Sequence, residues 1–214
     1  MLKDAKKIAA QLRLPNGEDS GVIVDFMARA NGPMYHFALS LMKFSPGNNV
    51  LEIGPANGAF VDYFLSKENQ INYYGVDLSP DMVTAASQLH HGKVNVEFKF
   101  GSVENLPYPN DFFDFIVTVN TLYFWPDPLQ GLMEILRVLK KNGSFSIAIR
   151  ERESMSVLEF SKYGFTLYSE SDAEKLMRQL SLSSFTIHRM KEKVRLPDGV
   201  EAELENLCLF GVKA

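Results

Sequence analysis

The run Val50-Leu51-Glu52-Ile53-Gly54-Pro55-Ala56-Asn57-Gly58-Ala59-Phe60 constrains this chain more than any other segment. It opens as a short apolar strand and breaks into a turn bounded by Gly54 and Gly58. It continues into Val61-Asp62-Tyr63-Phe64-Leu65, where Phe60, Val61, Phe64 and Leu65 recur at helical spacing. A strand, a tight glycine turn and a helix make the first unit of a nucleotide-binding α/β domain. Glycine suits such a turn because it reaches φ > 0 and lacks the Cβ that would hold the backbone away from a ligand. Glycine-containing βα turns without a ligand also exist, so the turn alone specifies a fold class.

The next segment narrows this. Ile71-Asn72-Tyr73-Tyr74-Gly75-Val76-Asp77 reads as a second strand ending in an acid. A carboxylate at that tip, about 20 residues past the turn, is placed to accept from both ribose hydroxyls of an adenosine. The alternative is a solvated strand-end acid. Ser79-Pro80-Asp81-Met82 then reads as a helix start, with Ser79 as N-cap and Pro80 at the first helical position.

The glycine spacing separates two cofactor classes. Read as the dinucleotide pattern G-x-G-x-x-G, the three positions hold Gly54, Ala56 and Ala59, and two fail. Read as G-x-G-x-G, they hold Gly54, Ala56 and Gly58, and only the middle one fails. The second spacing resembles motif I of the class I S-adenosylmethionine (SAM)-dependent methyltransferases, E/D-x-G-x-G-x-G, with Glu52 as the acid at its head. Phe98 to Pro107 resembles the family's third-strand segment, and Asp111 to Asn120 its fourth strand. Pro128 to Lys140 reads as a helix with Leu129, Leu132, Met133, Leu136 and Leu139 on one face. Leu136 to Ser144 resembles the helix-turn-strand phrase that ends the family's core. The resemblance spans about residues 46 to 150 and is strongest to the small-molecule branch that includes the ubiquinone and menaquinone methyltransferases.

That resemblance implies a Rossmann-like, seven-stranded, mostly parallel sheet whose last strand is antiparallel, with helices on both faces. It implies SAM as cofactor and in-line methyl transfer to a small-molecule acceptor. Carried over residue by residue, it lines the cofactor site with Glu52, Gly54, Pro55, Ala56, Asn57 and Gly58 on the methionine side. Asp77 binds the ribose, Leu78 and Met82 flank the adenine, and Ser102 and Val103 face its edge. Asn120 and Leu122 lie beneath the sulfonium. Ala56 departs from the middle glycine, and Ser102 from the usual acid. These departures keep open a protein that binds SAM or its demethylated product without catalysis. A dinucleotide-linked oxidoreductase is the third alternative.

Composition adds bounds. The chain has 214 residues, 46% of them hydrophobic, enough for one α/β domain with appendages. No apolar run approaches ~18 residues, so no membrane span is expected, and the start lacks a signal-peptide core. The expected compartment is the cytoplasm. The single Cys208 excludes an internal disulfide, and the four histidines lack ligand spacing, so no metal is expected. The net charge of −4, with basic residues scattered among acids, argues against nucleic acid as partner.

The flanks are expected to set acceptor choice. Residues 1–45 form an N-terminal helical extension, or lid, and 46–214 the SAM-binding domain. In the extension one helix carries Ala5, Ile8 and Leu12 and breaks at Leu14-Pro15-Asn16-Gly17. A second runs through Val22 to Met27 and stops near Asn31-Gly32-Pro33, and a third follows with Phe37, Leu41 and Phe44. The alternative to a lid is a packing layer. Tyr35 and His36 are candidates for the mouth of the site, and Tyr123 for contact with the acceptor. Tyr163, Tyr168 and His188 join these three as candidate bases, with none assigned. Ser171 to Glu174 reads as a capping box. Phe185 to Val194 and Glu205 to Lys213 read as an antiparallel pair turned at Pro197-Asp198-Gly199.

Overall fold

The computed structural model describes residues 4–18, 20–195 and 201–214. Among them, seven strands form one sheet: β1 (Asn49–Ile53), β2 (Asn72–Asp77), β3 (Val96–Phe100), β4 (Phe113–Val119), β5 (Leu139–Arg150), β6 (Leu182–Arg195) and β7 (Glu201–Lys213). Their order is β3-β2-β1-β4-β5-β7-β6. All pairings from β3 through β5 are parallel, and β7 runs antiparallel to both β5 and β6. The strand order reverses between β1 and β4, the switch point where open α/β sheets bind ligands at their carboxyl edge. The expected fold class and antiparallel closing strand are therefore present. The expected turn at Pro197-Asp198-Gly199 lies outside the described residues.

The central strands are apolar on both faces, as parallel strands covered on both sides must be. Leu51, Ile53, Phe145, Ile147 and Ile149 join one core with α5 (Pro128–Val138) and α7 (Glu170–Met177). Val50, Val117, Val119, Ala148 and Cys208 join a second with α2 (Ser20–Ser40) and α3 (Val61–Lys67). α4 (Pro80–Leu89) packs on β2 and β3, and α1 (Ala5–Arg13) packs on α2. The short α6 (Arg152–Ser156) follows β5.

Helix starts follow local chemistry. Ser79 Oγ accepts from the N–H of Met82 with Pro80 at the first helical position, as expected. Asp127 accepts from the N–H of Gln130 ahead of Pro128 in the same way. The capping box stands two residues before the expected one. Ser169 Oγ accepts from the N–H of Asp172, and the Asp172 carboxylate accepts from the N–H of Ser169. An Asp at the third position reaches back as Glu does in the usual box, so Ser171 is already helical. On α5 the buried face holds Leu132, Ile135 and Leu136, while Met133 is 53% exposed. One residue of helix, about 100° of rotation, carries Met133 off that face.

The N-terminal region differs most from expectation. The predicted break at Asn31-Gly32-Pro33 is absent, and a single helix, α2, runs through it with Pro33 inside. Proline costs a helix interior about 3 kcal/mol through a lost N–H and a ring clash. Burial of Ile23, Val24, Met34, Tyr35 and Leu39 along the same helix offsets this, at about 1.5–3 kcal/mol for each large apolar side chain. Tertiary packing thus overrides the local break. Since the Pro33 side chain is exposed, Pro33→Ala should restore a backbone hydrogen bond without losing packing. Denaturant unfolding should show a gain of about 2 kcal/mol, and no gain would mean the helix is broken in solution.

Candidate functional site

The tips of β1, β2 and β4 meet at the switch point. After β1 the chain turns through Gly54 at φ 75°, Ala56 at φ 49° and Gly58 at φ 76°. The Asp77 carboxylate, at the tip of β2, accepts from the N–H of Ala56 at 2.9 Å and from the N–H of Ser79 at 2.8 Å. Ala56, the departure from the middle glycine, therefore occupies the left-handed region that the motif's glycine would take without strain. The charged acceptor on its N–H holds it there.

The two glycines satisfy the protein's own packing as well as the turn. A Cβ on Gly54 would lie 2.5 Å from Thr121 Cγ2, and one on Gly58 would lie 3.0 Å from Phe98 Cζ and 3.1 Å from the His90 ring. Thr121 Oγ1 sits 2.5 Å from Thr118 Oγ1, which bonds the Ile53 carbonyl, so the β4 tip is stitched to the β1 tip. His90 Nε2 faces the Gly58 carbonyl at 2.9 Å. A carbonyl only accepts, so this nitrogen donates. Sequence reasoning misses this role of His90, because the contact joins residues distant in sequence. Asn57 Oδ1 is buried in the turn without a protein partner.

Glu52 does not face an open methionine site. Its side chain is fully buried, with Oε1 accepting from Tyr35 Oη at 2.5 Å and Oε2 from Tyr73 Oη at 2.6 Å. Burial pushes its carboxyl up to about 7, the two tyrosine donors pull it back, and the nearby Asp77 charge raises it further. The folded protein holds this proton more tightly than the unfolded chain does. The stability it contributes is present below about pH 4.5 and lost as pH rises to about 7. Asp77 is also shifted upward, by burial against the lowering effect of the Ser79, Ala56 and Leu78 N–H groups.

Tyr35 is not at a mouth: it lies mid-helix in α2, 3% exposed, stacked on Phe60 at 3.7 Å between ring centroids. The expectation failed because it rested on a helix start after Pro33. His36 is the exposed neighbour, against Tyr63. At the β4 tip, Asn120 stands at φ 58° and donates from Nδ2 to Asn31 Oδ1 at 2.8 Å and to Met34 Sδ at 3.3 Å, both on α2. Tyr123 Oη donates to Asn120 Oδ1 at 3.0 Å and accepts from the N–H of Arg150. Burial pushes the Tyr35, Tyr123 and Tyr168 phenols upward, away from service as phenolate bases near neutrality. Tyr163 is 42% exposed, and His188 lies on β6, 2.9 Å from Thr186.

The remaining predicted residues divide. Leu78 is 48% exposed beside Asp77, and Met82 is buried on α4. Ser102 Oγ accepts from the N–H of Glu104, while Val103 and Leu122 are buried in the core shared with α5. The N-terminal segment reaches the same edge. Ser79 Oγ donates to the Pro15 carbonyl at 2.7 Å, the N–H of Gly17 donates to Asp81 Oδ2 at 3.4 Å, and α1 packs against the 3-10 turn Glu159–Lys162. Among the described residues no helix is long and apolar enough to cross a membrane.

Comparison with known proteins agrees with this arrangement. Residues 51–147 match the family described as the methyltransferase domain. The chain is 29% identical over 128 residues to the uncharacterized methyltransferase YdaC of Bacillus subtilis, covering 60% of this chain and 70% of that one. It is 30% identical over 121 residues to a fatty-acid O-methyltransferase of Mycolicibacterium smegmatis, covering 56% of this chain and 43% of that protein. The crystal structure of YcgJ from Bacillus subtilis superposes with a TM-score of 0.70 at 19% identity, covering 86% of this chain and 98% of that one. Residues 51–147 thus carry the likeness to the methyltransferase domain, and the sheet shares its fold with YcgJ.

The geometry gives Asp77 a structural duty beside any ligand it holds. Asp77→Ala should strand the Ala56 and Ser79 N–H groups and lower stability by about 3 kcal/mol in denaturant unfolding. Unchanged stability would mean that water replaces the carboxylate.

Proposed function

We propose that this chain transfers a methyl group from SAM to a small-molecule acceptor, and that α1 with the loop to Gly17 forms a lid over the site. The observation that carries this is the glycine turn at the switch point, tied to a strand-tip carboxylate and holding the buried, unpartnered Asn57 Oδ1. A buried acceptor without a donor costs about 1–3 kcal/mol, and an ammonium or hydroxyl of a bound ligand would satisfy it.

SAM supplies a methyl already activated on a cationic sulfonium, so the protein's task is mainly alignment, worth ~7–11 kcal/mol in a near-attack geometry. The backbone from Gly54 to Gly58 lines the methionine side. The Asp77 oxygens accept from the Ala56 and Ser79 N–H groups and keep capacity to accept a ribose hydroxyl. Leu78 and Met82 flank the adenine, with Ser102 and Val103 near its edge. Asn120, held by Asn31 and Tyr123, stands with Leu122 at the transfer position. Residues 4–18 close over Ser79 and Asp81 and exclude water. We place the reaction in the cytoplasm.

A second reading, binding without catalysis, draws on the strained Ala56 and on Ser102 in place of an acid. Calorimetry with SAM, its demethylated product and a dinucleotide tests the cofactor. Transfer of labelled methyl into a cell extract, lipid fraction included because one relative is named for fatty acids, tests catalysis. Binding with no labelled product would favour the second reading.

Asp77→Asn keeps a carbonyl for one N–H but removes the charge. SAM affinity should fall at least ~10-fold in a folded protein, and unchanged affinity would remove Asp77 from the ribose. Deleting residues 1–18, which leaves α2 whole, should raise the SAM dissociation constant while the sheet stays folded. A folded truncation binding SAM as tightly as the full chain would refute the lid.

A further inference from the structure

Glu52 is a buried acid with an unusual environment. Its two oxygens are each taken by a tyrosine hydroxyl, one from α2 and one from β2. The groups facing it are few. α2 offers Tyr35, and β2 offers Tyr73 and the more distant charge of Asp77, while Val61, Phe64, Val117 and Val119 belong to the apolar core that also takes in both tyrosines. Among the described residues no cationic side chain bonds it. The carboxylate therefore costs the fold stability whenever it is ionised. It also lies too deep to touch a ligand, being fully buried behind the turn.

We propose that Tyr35 is a positioning residue which, with Tyr73, holds the Glu52 carboxylate as a buried anion behind the glycine turn, so that the site prefers a cationic ligand and α2 is fastened to the turn only when that anion is present. The proposal rests on the SAM reading above, because SAM carries one positive charge more than its demethylated product. Tyr35 couples two elements. Its hydroxyl holds the acid that begins the motif, and its ring stacks on Phe60, which follows the turn and precedes α3. A tyrosine donates one hydrogen bond, so the pair suits an ionised carboxylate, with both oxygens accepting. Once protonated, Glu52 needs an acceptor of its own, and one of the two bonds is disturbed.

The linkage has a definite sign. Glu52 stands near pH 7 in the folded protein because burial outweighs the two donors. A cation bound beside it favours the ionised form, so binding releases protons and tightens as pH rises through that range. Affinity should gain about 10-fold for each pH unit by which the cation lowers the Glu52 pKa. The ligand's α-amino group titrates in the same range in SAM and in its product, so the ratio of their affinities isolates the sulfonium charge.

The test is calorimetry of SAM and its demethylated product from pH 6 to 8.5 with the wild type, Tyr35→Phe and Glu52→Gln. In the wild type the preference for SAM over the product should grow with pH. In Tyr35→Phe, which keeps the stacked ring, loss of one donor should move that growth to higher pH. In Glu52→Gln the preference should be flat. A flat ratio in the wild type, or the same rise in Glu52→Gln, would overturn the proposal. An unmoved rise in Tyr35→Phe would remove Tyr35 from it. An infrared titration of the ligand-free protein supplies an independent readout. A buried protonated carboxyl band should disappear near pH 7 in the wild type, at higher pH in Tyr35→Phe, and be missing from Glu52→Gln. If the wild type shows that band but binds neither compound, the SAM reading itself has failed and the proposal falls with it. If it binds SAM but lacks the band, the anion clamp alone is wrong.

Discussion

The Asp77 carboxylate accepts from the N–H of Ala56 across the glycine turn and from the N–H of Ser79 ahead of α4. One side chain thereby fixes the loop after β1, the tip of β2 and the entry to the next helix. Ser79, held from behind, donates forward to the Pro15 carbonyl, so the N-terminal segment takes its position from the same point. Magnitudes explain why the tie holds. A residue with a Cβ in the left-handed region costs roughly 1–2 kcal/mol, and a hydrogen bond to a charged acceptor returns about 1.5–3 kcal/mol. Ala56 can stand where the motif has glycine because that carboxylate meets its N–H.

The second constraint comes from α2. Its C-terminal half is core, with Met34, Tyr35, Ala38 and Leu39 buried on the sheet. Its middle carries Asn31, whose side chain meets Asn120 at the β4 tip. A helix unbroken at Pro33 makes these contacts parts of one rigid body. Movement of its N-terminal end would be felt at Asn120 and at Glu52 alike, unlike movement of a lid joined by a hinge. A lid in this protein would therefore consist of α1 and the loop to Gly17, with α2 as its fixed support.

Much of the sheet is legible in the sequence because each parallel unit writes the same local grammar: a buried apolar strand, a turn, and a capped helix. Gly54, Gly58, Asp77 and Ser79 can be read this way, since positive φ, strand-tip position and N-capping are local demands. The misreadings around α2 and the turn share one cause. Asn31-Gly32-Pro33 looks like a helix stop until Tyr35 and Leu39 are seen to be buried, and burial is not a local property. Tyr73 carries no signal at all, because its value lies in facing Glu52 on the neighbouring strand, with Leu51 paired to Tyr74 in register. His90 and Thr121 escape for the same reason. Each fills the space left by a glycine distant in sequence, and the complement of a missing Cβ cannot be read without the fold.

Glu52 and Asp77 are buried carboxylates held in different ways. Asp77 is held by backbone N–H groups, which donate at any pH and cannot turn away. Glu52 is held by phenol hydroxyls, which can rotate and can accept as well as donate. Burial raises both acids, and the charge of Asp77 raises Glu52 further. Two such groups at the tips of adjacent strands leave the switch point short of positive charge. Further fixed donors could relieve that shortage, but Asn57 contributes an acceptor there, which deepens it. What relieves all three at once is a ligand that brings cationic and donor groups to the turn. This electrostatic demand supports a sulfonium and ammonium ligand over a pyrophosphate, whose negative charge would meet two carboxylates and an unpartnered carbonyl oxygen.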